Sequence, residues 1–117
     1  MTRNSWHIAR TSDTLTLSRC LPARFDLAVE TMLPDGDSLR LAHQIRQDMW
    51  RALQDVRGFS PVVRVAQTAE GVRVTAGGRV LGLVSPVLAE RIEAVLENPA
   101  NRGRWLRHAA RGQGADL

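Results

Sequence analysis

The sequence predicts an α+β fold: a two-layer sandwich with an antiparallel sheet of about five strands packed on one long helix, in the order β-β-α-β-β-β-α-α, and a C-terminal helical hairpin. Three observations carry that reading. Short alternating or β-branched apolar runs lie on both sides of one long segment whose apolar residues recur at three- and four-residue spacing. Two polar-Pro signals, Ser85-Pro86 and Asn98-Pro99, then open helical stretches near the C-terminus. A chain of 117 residues suits one hydrophobic core, because each half alone would bury too little surface to offset its chain entropy. A single domain over 1–117 is therefore expected, with 1–12 and 113–117 as loose ends.

Thr14-Leu15-Thr16-Leu17-Ser18 alternates with period two, which places Leu15 and Leu17 on one face of a half-buried strand. Phe25, Leu27 and Val29 repeat the pattern against Asp26 and Glu30, and the two strands are expected to form a hairpin with Pro22 in its loop. Pro34-Asp35-Gly36 marks a turn, after which Asp37 or Ser38 can cap a helix by accepting a hydrogen bond from a first-turn amide. That helix runs to about Val56, with Leu41, Ile45, Met49, Leu53 and Val56 on one stripe joined by Ala42 and Ala52. Arg57-Gly58 suits its end.

Val62–Val65, Val72–Thr75 and Arg79–Val84 follow as a three-stranded meander, with Gly77-Gly78 read as a tight hairpin loop. Ser85-Pro86 opens a helix to about Glu97 with Leu88, Ile92, Val95 and Leu96 inward. Asn98-Pro99 opens a last helix to about Arg111, which Gly112 closes. The sheet face away from the helix is expected to be partly open.

Hydrophobic residues make up 44% and charged residues 24%, which is globular rather than disordered composition. Residues 1–10 hold no apolar signal region and no later stretch nears the roughly 20 apolar residues of a membrane span, so neither export nor a membrane partner is expected. Cys20 is the single cysteine, which rules out an intrachain disulfide and fits a reducing cytoplasm.

All 16 basic residues are arginine and there is no tyrosine, so a net charge of only +4 drives the isoelectric point to about 11.2. The missing lysine is read first as codon bias in a GC-rich genome, with selection for planar, bidentate recognition of phosphate or carboxylate as the alternative. Residues 1–20 carry three Arg and one Asp, 21–97 nine Arg and ten acids, and 98–117 four Arg and one Asp. The centre is near neutral and the ends are basic.

His7, His43 and His108 lie at no metal-ligand spacing, and Cys20 has no recognisable base beside it, so no metal, cofactor or catalytic set is expected. Gly58-Phe59-Ser60-Pro61 lacks the second glycine of a nucleophile elbow. Asp26 and Glu30 share a strand face, where ion pairs with Arg64 and Arg73 explain them.

The last helix is the most informative segment. Trp105, Leu106 and Ala109 cluster on one side, while Arg104, Arg107, His108 and Arg111 form a basic outer face suited to phosphates or an acidic protein. Trp105 is an anchor or a stacking surface. Against that, Glu90, Glu93 and Glu97 on the preceding helix can neutralise the arginines internally.

The expected function is that of a small non-enzymatic binding protein of the bacterial cytoplasm. It would act on a protein partner or its own copy through its sheet face and basic C-terminal helix. Nucleic-acid binding through the C-terminal arginines is the first alternative. The long helix and meander also resemble those of the hotdog thioesterases, although no motif residue matches and none is carried over. That resemblance implies a small enzyme or ligand binder with a pocket between helix and sheet.

Overall fold

The alternation of Leu15 and Leu17 with polar neighbours becomes a strand whose apolar face is buried, and the same rule builds the rest of the sheet. The computed structural model describes residues 6–110. Its elements are β1 (His7–Arg10), β2 (Thr14–Ser18), β3 (Leu27–Leu33), α1 (Ser38–Ala52), β4 (Phe59–Thr68), β5 (Gly71–Val80), α2 (Pro86–Glu97) and α3 (Pro99–Ala109). The strands form an antiparallel open sheet in the order β1-β2-β4-β5-β3. With three helices the architecture is the two-layer α+β arrangement that the sequence predicts, including the C-terminal helical pair.

Leu15, Val65, Val74 and Thr31 lie in one register row across four strands, and Leu17, Val63, Ala76 and Val29 in the next. This face meets Leu41, Ile45 and Met49 of α1 and Leu88, Ile92 and Leu96 of α2, and all six helix side chains are buried. The stripe predicted on each helix is the stripe that packs. Three expected caps are present: Asp37 accepts from the Arg40 amide, Ser85 from the Val87 amide and Asn98 from the Asn101 amide.

Three expectations fail in detail. Gly77 and Gly78 do not turn a hairpin; they lie inside β5, which runs unbroken to Val80. A Cβ at Gly77 would strike the Leu27 carbonyl oxygen, and one at Gly78 the Ser60 carbonyl oxygen. The two glycines therefore admit the backbones of β3 and β4 rather than reverse the chain. Arg79 and Val80 complete β5, and residues 81–84 are irregular. Second, β2 and β3 are not a hairpin: β2 lies between β1 and β4, and β3 is at the opposite edge beside β5. Third, His7–Arg10, expected within a loose lead-in, pairs with β2 as the fifth strand.

Joining β2 to β3 requires residues 19–26 to pass over β4 and β5 on the face away from the helices. Cys20 Sγ comes 3.7 Å from Ser60 Oγ, Arg79 donates to the Pro22 carbonyl at 2.6 Å, and the Arg64 guanidinium sits 5.0 Å from the centre of the Phe25 ring. The Asp26 amide donates to the Gly78 carbonyl, while the Asp26 carboxylate accepts from the Val80 amide at 2.8 Å. That bond, with the Arg24 guanidinium beside it, holds the Asp26 carboxyl below the usual carboxylate range. Val62 and Thr75, which face away from the helices, are consequently buried. The strap covers part of the outer sheet face, and Ala28, Glu30, Arg64 and Arg73 on it stay exposed, so the face is partly open as expected.

Candidate functional site

Trp105 and Ala109 turn inward on α3 and are fully buried, with Leu106 half-buried beside them. Arg104 does not stay on the outer face. Its guanidinium donates to Asp48 Oδ2 at 2.7 Å, to Oδ1 at 3.4 Å, and to Asn101 Oδ1 at 2.7 Å. Trp105 Nε1 donates to the same Asp48 Oδ2 at 2.6 Å, and Arg51 reaches Oδ1 at 3.4 Å. Asp48 is buried on α1 between Ile45 and Met49, and the α3 donors supply what a carboxylate there needs in place of water. Arg104 and Trp105 are thus clasps between α3 and α1, and the Trp105 ring offers no stacking surface.

Arg107 and His108 are exposed on the outer side of α3, and Arg111 lies outside the described residues. The internal neutralisation expected from α2 is mostly absent. Among the described residues, Glu97 alone of those three glutamates meets an arginine, Arg102 at 3.7 Å, and also accepts from Thr31. Asp48 was the missing partner. Its sequence signal was an acidic residue flanked by Ile45 and Met49 on the apolar side of a helix.

Two hollows flank α2 and share Arg91 as a wall. The first, of about 460 Å³, lies where α1, α2 and α3 meet and is lined by Asp48, Arg51, Arg91, Asn98 and Asn101 with Ala52, Ala94 and Val95. Most of its polar groups are already used. Arg91 donates to Asp55 at 2.7 and 3.2 Å and to the Ala52 carbonyl at 2.6 Å, and Asn101 donates to the Val95 carbonyl. The ion pair lowers the Asp55 pKa and raises that of Arg91.

The second hollow, of about 220 Å³, is apolar, and Val56, Val80, Leu81, Leu83, Val87 and Leu88 form most of its wall. Around it Leu81 is 75% exposed, Leu83 96%, Val84 45% and Val87 59%. The local cause is the irregular segment between β5 and α2. Gly82 takes a left-handed φ of 84°, the chain swings out to deliver Ser85 as the α2 cap, and its aliphatic side chains face water. Leu81 is held by the hydrogen bond that its N–H donates to the Gly58 carbonyl at 3.0 Å. Gly58, at φ 73°, leaves room for the Leu81 side chain, since a Cβ there would approach the Leu81 Cβ to 2.9 Å. Arg57 stands exposed on the rim and pairs with no carboxylate among the described residues.

This patch is absent from the sequence reading, because assigning 79–84 to a strand pairs Leu81 and Leu83 into a sheet. The interruption by Gly82 directly before a Ser-Pro cap was the available signal.

No protein-family model matches the chain, and no curated protein or solved structure matches it. Among the described residues no cluster of three or more His, Cys, Asp or Glu can hold a metal ion, and no helix is long and apolar enough to cross a membrane.

Proposed function

We propose that this chain is a protein-binding module whose docking surface is the apolar apron Leu81, Leu83, Val84 and Val87 around the hollow at the start of α2. The observation that carries this reading is the exposure of those four aliphatic side chains, from 45% to 96%, in one contiguous stretch. Contiguous aliphatic surface beside a concave apolar wall is the physical signature of a docking site, because covering it releases ordered water. The stripes of α1 and α2 are buried in the core, so the apron is not a sign of a poor core, and the other exposed large apolar side chains, Ile8, Leu21, Met32 and Trp50, lie apart along the chain.

The reading keeps a protein partner or a second copy and moves the contact from the C-terminal arginines to the apron. Arg104 is committed to Asp48, and residues 19–26 cover part of the sheet face. A hotdog-like pocket finds little room between α1 and β4, where Leu41, Ile45, Met49, Val63 and Val65 are all fully buried.

The test pairs wild type with Leu83→Asp. Sedimentation of each across a wide concentration range reads self-association, and reciprocal capture from native lysate reads a different partner. Dimerisation, or one reproducible partner, that Leu83→Asp abolishes at unchanged melting temperature supports the reading. A wild type that stays monomeric and holds nothing that Leu83→Asp loses overturns it.

A further inference from the structure

Beside the start of β1 and the end of β2, where Arg46 of α1 approaches the sheet edge, three side chains form a cluster that the protein-binding reading does not use. The Arg46 guanidinium sits 4.8 Å from the centre of the Trp6 ring, and the Arg19 guanidinium 5.5 Å from the same centre. We propose that Arg19, Arg46 and Trp6 form a binding site for a phosphoryl dianion.

The argument begins with charge. Several other arginines of the described residues pair with acids: Arg24 with Asp26, Arg51 and Arg104 with Asp48, Arg91 with Asp55, and Arg102 with Glu97. Arg19 and Arg46 have no carboxylate partner among the described residues, although each guanidinium lies over the Trp6 ring. Burial first, and then the Arg19 charge, push the Arg46 pKa down; burial and then the Arg46 charge do the same to His43, three residues earlier on α1.

Hydrogen bonding points the same way. Arg46 Nε is buried and has no hydrogen-bond partner among the described residues. A buried donor without an acceptor beside an uncompensated second cation is a destabilising arrangement, and an anion carrying several acceptor oxygens relieves both defects at once. Two guanidiniums call for two negative charges. A phosphate monoester supplies up to two, with three oxygens that match the planar arginine forks. The cation–π contact with the indole restrains both side chains, so Trp6 acts as the anchor of the site.

The test follows the Trp6 indole N–H resonance of the full chain at low salt during titration with inorganic phosphate, pyrophosphate and AMP. A saturable shift at Trp6 is expected, while the Trp105 indole, bonded to Asp48, stays in place. Arg19→Gln and Arg46→Gln should each weaken binding about tenfold or more, because each removes charge-assisted hydrogen bonds. Arg107→Gln, at an exposed arginine on α3, should leave binding unchanged. Arg19 is exposed, so its variant keeps the test valid if Arg46→Gln unfolds. AMP binding more tightly than phosphate assigns a nucleoside phosphate, and equal binding assigns the bare phosphoryl group; both support the site. A shift that never saturates, Arg19→Gln binding like wild type, or equal loss in Arg107→Gln overturns it.

Discussion

The α1–α3 contact and the start of α2 lie on either side of Arg91 and treat their side chains in opposite ways. At the contact, a buried carboxylate is surrounded by N–H donors from Arg51, Arg104 and Trp105. At the start of α2, Leu81, Leu83, Val84 and Val87 face water beside an apolar hollow. A charge placed in the interior survives only where its neighbours replace the water it has lost, so Asp48 and its donors are explained by folding alone. Exposed aliphatics gain nothing from folding, which is why the proposed docking surface is the apron rather than the polar cleft.

The largest expected effect breaks the first region. Asp48→Ala leaves the donors of Arg104 and Trp105 without their acceptor and should cost about 3 kcal/mol in urea unfolding. That figure sits at the low end for a broken buried pair because the Arg104 side chain is 33% exposed and keeps some hydration. A loss no larger than that of an ordinary surface substitution would end the view of Asp48 as the α1–α3 clasp. Trp105→Phe removes one donor and keeps most of the packing, so about 1–2 kcal/mol is expected. Combined with Asp48→Ala, it should add less than its separate cost, because both changes delete the same bond.

Ser85→Ala tests what supports the apron. Loss of the cap on α2 should destabilise by about 1 kcal/mol, and partner binding should fall only as far as α2 frays. Asp55→Asn acts on the wall between the two regions. The folded Asp55 carboxyl titrates below its ordinary value of 3.8, so its stabilisation is full above that value and is lost as pH falls through the folded pKa. Wild type should therefore melt above Asp55→Asn at neutral pH, and the two curves should converge in acid. Convergence towards alkaline pH instead would show that the Arg91 pair is not the source. The smallest effect on stability belongs to Leu83→Asp, within about 0.5 kcal/mol, since the side chain is almost wholly exposed. A large loss there would show that the apron is part of the core, and the contrast between the regions would collapse.

Much of the fold is legible because burial follows local periodicity. Leu15 and Leu17 alternate, Leu41, Ile45 and Met49 repeat at four residues, and each of these sets is buried as predicted. The caps at Asp37, Ser85 and Asn98 are equally local, since each accepting oxygen serves an amide two or three residues on. The mistakes share one cause. A pair of glycines reads as a turn when its neighbours are unknown, yet at Gly77 and Gly78 the requirement comes from the carbonyls of Leu27 and Ser60, which lie far off along the chain. The same holds for Arg104, whose partner Asp48 is 56 residues away.

The sequence by itself determined the two-layer α+β class, the inward stripes and the helix starts, because periodicity and capping act within a few residues. Tertiary structure alone decided that β2 and β3 stand apart, that residues 19–26 strap the sheet, and that Arg104 and Trp105 serve Asp48. It also decided that Leu81 and Leu83 are left in water. Those outcomes depend on which distant groups meet, and strand order and charge pairing are set by packing the whole core rather than by any short stretch of chain.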